Sequence, residues 1–193
     1  DINTLVIPES VDSFGSDTIE NPDEILWMDD IKAILSGEKE GQVADNRGED
    51  EWNGEYSGYS YHDLAGHLDG AVWCLQGDEE NGTYFYNVDN TPRTQTELKD
   101  YMESNGVDTS KTVAFYCGDS WGAAMIAYWC QSVDLNNIKE WGNGWIPWSN
   151  EGNEFIDHNG KTVHYDKYRD AVLDEDGNDV SDGTNILADE KKE

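Results

Sequence analysis

The chain has 193 residues, of which 36% are hydrophobic, enough for one α/β domain with its own core, and eight Trp and ten Tyr add large areas to bury. With 42 acidic and 12 basic residues the net charge is −30, which excludes nucleic acid and anionic membrane surfaces as partners, since both are gripped by clustered Lys and Arg. No apolar run is long enough to span a bilayer, and three cysteines, Cys74, Cys117 and Cys130, are too few for a disulfide scaffold.

Residues 1–20 read as an acidic, Ser-rich arm whose one apolar patch, residues 5–7, suits an edge strand. The first residue is Asp1 rather than Met, and together with the scarcity of Lys this leads us to expect a removed leader or upstream region. An extracytoplasmic (secreted or cell-envelope) location follows as the expectation, a cytoplasmic one being the alternative. From residue 21 the stretch NPDEILWMDDIKAILSG places Ile25, Met28, Ile31, Ile34 and Leu35 on one helical face, opened by Pro22 and Asp23 and closed by Gly37. GQVADNRG is a short buried strand. Residues 51–68, aromatic and Gly-rich, form a long structured loop, and GAVWCL is a second strand. TQTELKDYMESNGV is a helix with Thr96 as its cap and Gly106 at its end.

KTVAFYC is the third strand, AAMIAYWCQSV the helix after it, NNIKEW a fourth strand and GNGWIPW a turn rich in Gly and Trp. Strands alternating with helices predict an open, mostly parallel sheet with helices on both faces, whose ligand sites lie beyond the carboxyl ends of the strands. Residues 21–150 make up this domain. Residues 151–193 form a C-terminal extension, with a hairpin about Asn159-Gly160 and an acidic tail. Within it DEDGNDVSDG departs from a calcium loop, because Asp179 stands where the sixth position needs Gly, and it reads as a plain Asp-Gly turn. Four scattered His carry no metal-ligand spacing, and no metal or cofactor is expected.

Cys117 ends the third strand at the mouth of a helix. A helix starting near Gly122 would set the sulfur over its N-terminus, with the amides of residues 118–122 gathered about one point. Such a setting can lower a cysteine pKa from about 8.5 into roughly the 3.5–7.5 range. A thiolate held this way suits sulfur transfer, and the loop could then hold a persulfide. A buried cysteine that merely ends a strand fits the loop equally well. Cys74 and Cys130 lie in apolar patterns and read as core, a resolving role or a Cys74–Cys130 disulfide being the lesser alternative.

Four segments in order resemble the rhodanese (sulfurtransferase) family: VADNRGEDEW its Asp-x-Arg strand, AGHLDGAVW its Gly-His motif, FYCGDSWGAA its active-site loop, and IKEWGNGWIPWS its closing Trp turn. EWNGEYSGYSY and YNVDNTPR look like insertions of bacterial, clostridial-type members. The resemblance implies the open α/β sheet, and a sulfurtransferase that moves sulfane sulfur from thiosulfate or a persulfide to a thiol or cyanide acceptor through a Cys117 persulfide. It casts Gly118, Asp119, Ser120, Trp121 and Gly122 as the cradle, Asp45 and Arg47 as a brace, and His67 as a structural residue. The chain also departs from the family pattern. Many relatives carry Arg at the position of Gly122, and Asp119 adds a negative charge, so thiosulfate turnover is expected to be weak. Arg93 is a candidate stand-in cation, with a solvated loop Arg as the alternative. A cysteine phosphatase would need Arg six residues after the nucleophile, where Ala123 stands. The remaining alternative is a catalytically weak binding or sensing module of the same fold.

Overall fold

The computed structural model describes residues 18, 21–78 and 82–181; the strand expected at residues 5–7 and the acidic tail lie outside them. Five strands form one parallel sheet: β1 (Ile25–Leu26), β2 (Gln42–Asp45), β3 (Val72–Trp73), β6 (Val113–Tyr116) and β7 (Ile138–Trp141), in the order β1-β7-β6-β2-β3. Central β6 is buried at every residue, which is why its sequence is a continuous apolar run instead of an alternating one. Its side chains alternate between two cores with the period of two that a strand imposes. Ala114 and Tyr116 join Ile31 and Ile34 of α1 (Met28–Leu35) and Trp145 and Trp148 of α5 (Trp145–Asn150). Val113 and Phe115 join Leu98 and Met102 of α3 (Gln95–Ser104) and Ala123, Ile126 and Cys130 of α4 (Trp121–Gln131). The sheet thus carries helices on both faces, as the alternating pattern predicts.

Local differences have physical causes. The first helix begins at Met28, not at Pro22: Pro22–Glu24 is a 3₁₀ turn, and Ile25 and Leu26 pair with Glu140 and Trp141 as an edge strand. Their spacing from Ile31 suits a helix, but Trp27 is extended, and Asp30 accepts from its N–H at 3.0 Å to open the helix there. The cap of α3 is Thr94 and not Thr96. The Thr94 hydroxyl accepts from the Glu97 amide while the Glu97 carboxylate accepts from the Thr94 amide at 2.8 Å, a reciprocal box that the Thr-x-x-Glu spacing allows only from Thr94. The loop over residues 51–68 opens on a short helix, α2 (Glu49–Trp52), and the Gly- and Trp-rich turn contains α5.

Two small antiparallel units flank the sheet. β4 (Gly77–Asp78) pairs with β5 (Gly82–Thr83). β8 (Phe155–Ile156), β9 (Thr162–Asp166) and β10 (Ala171–Asp174) form a three-stranded sheet that sends Phe155, Val163 and Val172 into the α1 core. A bridge between Ile156 and His67 ties that sheet to the 51–68 segment. At the turn after β10, Asp174 accepts from the amides of Asp176 and Asn178, and no group of metal-holding side chains occurs among the described residues. Nor is any described helix long and apolar enough to cross a membrane.

Candidate active site

The carboxyl ends of β2, β3 and β6 continue as a ladder past the strands themselves. Asn46 N–H donates to Tyr116 C=O at 3.0 Å, Cys74 N–H to Asp45 C=O at 2.8 Å, and Gln76 N–H to Asn46 C=O at 3.1 Å. This ladder sets Asn46, Arg47, Gln76 and Cys117 side by side on the rim where an open parallel sheet offers its crevice. They line one cavity of about 590 Å³ together with Glu51, Tyr59, Leu75, Asp78, Thr83 and Gly122. Cys117 is half-buried, whereas Cys74 and Cys130 are wholly enclosed. Burial raises the thiol pKa of Cys74 and pushes that of Cys130 up to about 12, so both stay protonated core residues. All three cysteines are free.

The loop after Cys117 is held from behind. Gly144 caps α5, and the first amides of the helix turn back onto the loop: Trp145 N–H donates to Cys117 C=O at 2.8 Å and Ile146 N–H to Gly118 C=O at 2.9 Å. Gly144 has a φ of +76°, and a Cβ there would stand 2.6 Å from the Gly118 oxygen, so only glycine lets α5 approach this closely. Ser120 takes the left-handed conformation, with a φ of 76°, and turns its hydroxyl away to donate to the Trp141 carbonyl. The first helical bond of α4 runs from Ala124 N–H to Ser120 C=O. Among the described residues, no backbone carbonyl accepts from the amides of residues 119–123, which leaves a run of donors at the positive end of the helix.

The 51–68 segment, read from sequence as a structured loop, forms a wall of the site. Tyr59 lies against Gly118, where a Cβ would run into its ring and hydroxyl. Burial, then the charges of Glu51 and Cys117, raise the Tyr59 pKa, so the phenol stays protonated. Tyr61 lies near Asp119, whose charge, after burial, raises the Tyr61 pKa. Glu51 accepts from Gly48 N–H at 3.1 Å with one oxygen, while the other is buried without a partner, and burial raises its pKa.

The segment is pinned at several points. Ser57 donates to the His62 carbonyl, Trp145 Nε1 donates to Leu64 C=O at 3.0 Å, and Arg47 donates to Gly66 C=O at 2.7 Å. His67 stacks on Trp52 with ring centroids 3.7 Å apart and bonds its carbonyl at 2.7 Å. His62 faces Ser149 Oγ at 3.0 Å. Burial, followed by the Arg47 charge, lowers the His62 pKa to about 4. A base whose folded pKa lies below its unfolded value contributes fully above the unfolded value, near 6.5, and loses that contribution as the pH falls toward 4. Between pH 7 and pH 5 the protein should lose about 2 kcal/mol of stability through this histidine. Urea melts at the two pH values check it: His62→Gln should remove that part of the loss, and an equal loss in both proteins would assign the acid sensitivity elsewhere.

Of the residues singled out from sequence, Cys117, Gly122 and Arg47 line the cavity, and Asp45 lies beneath it holding Arg47. Asp119, Ser120, Trp121, His67 and Arg93 are not among the lining side chains. Trp121 is 83% exposed. Arg93 donates to Thr83 C=O at 3.2 Å, behind the cavity wall. Sequence reasoning did not single out Glu51, Gln76 or Asp78 for the site. Tyr59 is marked in the sequence only by the Tyr-rich run YSGYSY.

Residues 28–151 match the rhodanese-like domain family. No curated protein matches the chain. Among solved structures it is similar to EanB carrying a cysteine persulfide in a tetrahedral intermediate state with ergothioneine, at 26% identity and a TM-score of 0.67 over 76% of this chain and 34% of that one. It is similar to an EanB variant in complex with hercynine, at 27% identity and a TM-score of 0.69 over 78% and 35% of the two chains. The anaerobic ergothioneine biosynthesis enzyme from Chlorobium limicola, in complex with its natural substrate trimethyl histidine, matches at 28% identity and a TM-score of 0.60 over 68% and 31%. The chain therefore spans about a third of the length of these structures.

Proposed function

The chain belongs to the rhodanese-like domain family, and from that premise we propose that it is a sulfurtransferase working through a persulfide on Cys117. The observation that carries this reading is the placement of a half-buried thiol in the cavity at the carboxyl end of the central strand, beside a helix start whose amides 119–123 are bonded to no backbone carbonyl among the described residues.

The Cys117 thiolate attacks the outer sulfur of a sulfane donor. The bond between that sulfur and its carrier breaks, and the carrier leaves with the electron pair. The negative charge now on the terminal sulfur is held by the run of free amides at the start of α4. An acceptor nucleophile then takes the terminal sulfur, and Cys117 departs as thiolate. Tyr59, protonated and packed against Gly118 in the same cavity as Cys117, is placed to give a proton to a leaving carrier or acceptor. Cyanide and small thiols are general acceptors for such a persulfide. The similarity to ergothioneine enzymes adds trimethyl histidine as an acceptor to assay.

Incubation with a polysulfide followed by peptide mass spectrometry tests the reading. One added sulfur should appear on the Cys117 peptide and on neither Cys74 nor Cys130, and a later addition of cyanide should remove it. Iodoacetamide should label Cys117 well ahead of the other two, which are enclosed and protonated. A Cys117 that takes up no sulfur would leave the domain a binding module.

A further inference from the structure

We propose that Gln76 is the specificity-determining residue of this site: its neutral carboxamide, seated with Asn46 over the first turn of α4, restricts the site to sulfane donors of low negative charge. The inference rests on the sulfur-transfer reading above.

Gln76 is fixed by its backbone on both sides. Its N–H donates to Asn46 C=O at 3.1 Å and its carbonyl accepts from Tyr84 N–H at 3.0 Å. Its side-chain oxygen accepts from Asn46 Nδ2 at 2.8 Å. The amide pair is packed down onto the backbone of α4. A Cβ built at Gly122 would overlap Gln76 Oε1 and stand 2.8 Å from Asn46 Nδ2. Gly122 has ordinary helical geometry and no positive φ, so its lack of a side chain answers to this neighbour and not to backbone conformation. Any side chain at 122 must first displace Gln76.

That place matters because it is the start of the helix next to Cys117, where the charge of an anionic donor would have to be met. Among the described residues the wall offers no cation without a carboxylate partner. Arg47 is the sole cationic side chain among the lining residues, and its charge is already matched by Asp45. Arg93 is bonded to Thr83 outside the lining. Against these stand the carboxyl groups of Glu51 and Asp78 in the wall and Asp119 in the loop. A dianion entering this space meets backbone dipoles, neutral amides and a guanidinium whose charge is already paired with Asp45 and whose Nη1, though without a partner, is buried. A donor with one charge fewer keeps the same dipoles and meets less repulsion.

The test compares thiosulfate, a dianion, with methanethiosulfonate, which offers the same outer sulfur with one charge fewer, using cyanide as acceptor. kcat/KM is measured for both donors on the full chain, Gln76→Ala, Gly122→Arg and the double variant. The unmodified protein should prefer methanethiosulfonate by about tenfold or more. Gly122→Arg alone should gain little with thiosulfate, because Gln76 blocks the new side chain. The double variant should exceed the product of the two single effects by about tenfold to a hundredfold with thiosulfate, mostly through KM, and far less with methanethiosulfonate. Gln76→Arg, which brings a cation to the same place from the other wall, should raise thiosulfate use even if Gly122→Arg does not fold. Equal use of both donors by the unmodified protein, or a full gain from Gly122→Arg alone, overturns the role of Gln76 and leaves sulfur transfer standing. A Cys117 that takes up no sulfur from either donor or from polysulfide overturns both.

Discussion

Cys117→Ser should abolish turnover of every sulfane donor, by at least about a thousandfold, while leaving the fold intact. Serine keeps the size of the side chain and its place at the end of β6, but its hydroxyl is neither a thiolate at neutral pH nor able to carry a sulfur that a second nucleophile can remove. The unused amides at the start of α4 remain, so a donor would still bind without reacting. Because Cys117 is half-exposed and packs in neither core, the melting temperature should stay within the small range typical of surface changes, about 0.5 kcal/mol in stability. The buried cysteines should behave the opposite way. Cys130→Ala removes a sulfur from the core formed by Ala123, Ile126 and Leu135, so it should cost roughly 1–2 kcal/mol and leave turnover nearly unchanged. Activity and chemical melts on the two variants separate the roles. A Cys117→Ser protein that retains turnover would move the chemistry to another group in the cavity.

The parts of this fold that were legible in the sequence are those where one physical demand dominates. β6 must be apolar on both faces, so VAFY stands out, and the helix after the Cys117 loop begins within a residue of where it was expected. The mostly parallel sheet with helices on both faces, and the placing of Cys117 at a strand end, then follow from the alternation of elements. Legibility fades where two demands coincide in one stretch. Ile25 keeps step with the helical face of α1, yet the edge of the sheet claims it and Leu26 by pairing them with β7. The Gly- and Trp-rich turn has helix-forming contacts only because its first amides find the carbonyls of Cys117 and Gly118, residues far away in the chain.

The site was legible at its nucleophile and less so in its walls. Cys117 announces itself by position. Gln76 does not, because nothing local marks a Gln after a short strand; its meaning comes from Gly122, which reaches the same point from another element. The absence of a large side chain at 122 reads in sequence as a gap in the electrostatics, and in three dimensions the gap is filled by an amide. Tyr59 is similar. A Tyr-rich loop does not say which ring faces the site, and only the fold brings one of them onto Gly118. Trp121 shows the reverse: the family resemblance casts it as part of the cradle, yet it begins α4 on the outer side and is left to solvent.

Breaking the ion pair beneath the cavity should cause the largest loss of stability. Asp45 and Arg47 have side chains that are 0% and 1% exposed, and Arg47 Nη2 reaches Asp45 Oδ2 at 2.6 Å. Arg47 Nε donates to both Asp45 oxygens, at 3.0 and 3.1 Å, and Nη2 also donates to Gly66 C=O at 2.7 Å. The guanidinium lies 4.7 Å from the Trp145 ring centre and 5.6 Å from that of Tyr116. One side chain therefore joins the end of β2, the 51–68 segment and α5, the three elements that frame Cys117. Burial by itself would lower the Arg47 pKa, but the Asp45 charge and hydrogen bonds more than offset this and raise it, so the guanidinium stays charged. Removing one partner leaves the other charge buried without compensation, a loss of roughly 3–5 kcal/mol. Set against a total of about 5–15 kcal/mol for a domain, that is a large fraction. Arg47→Met should lower the melting temperature by about 6–20 °C. Arg47→Lys should recover only part of this, because an ammonium cannot bond Asp45 through two nitrogens and still reach Gly66. Asp45→Asn should cost as much as Arg47→Met, and the double variant Asp45→Asn with Arg47→Met should cost less than the sum of the two, since neither charge is then stranded. Thermal melts of the four variants decide it, and additive losses would mean that the pair acts as two separate packing groups and not as an ionic bridge.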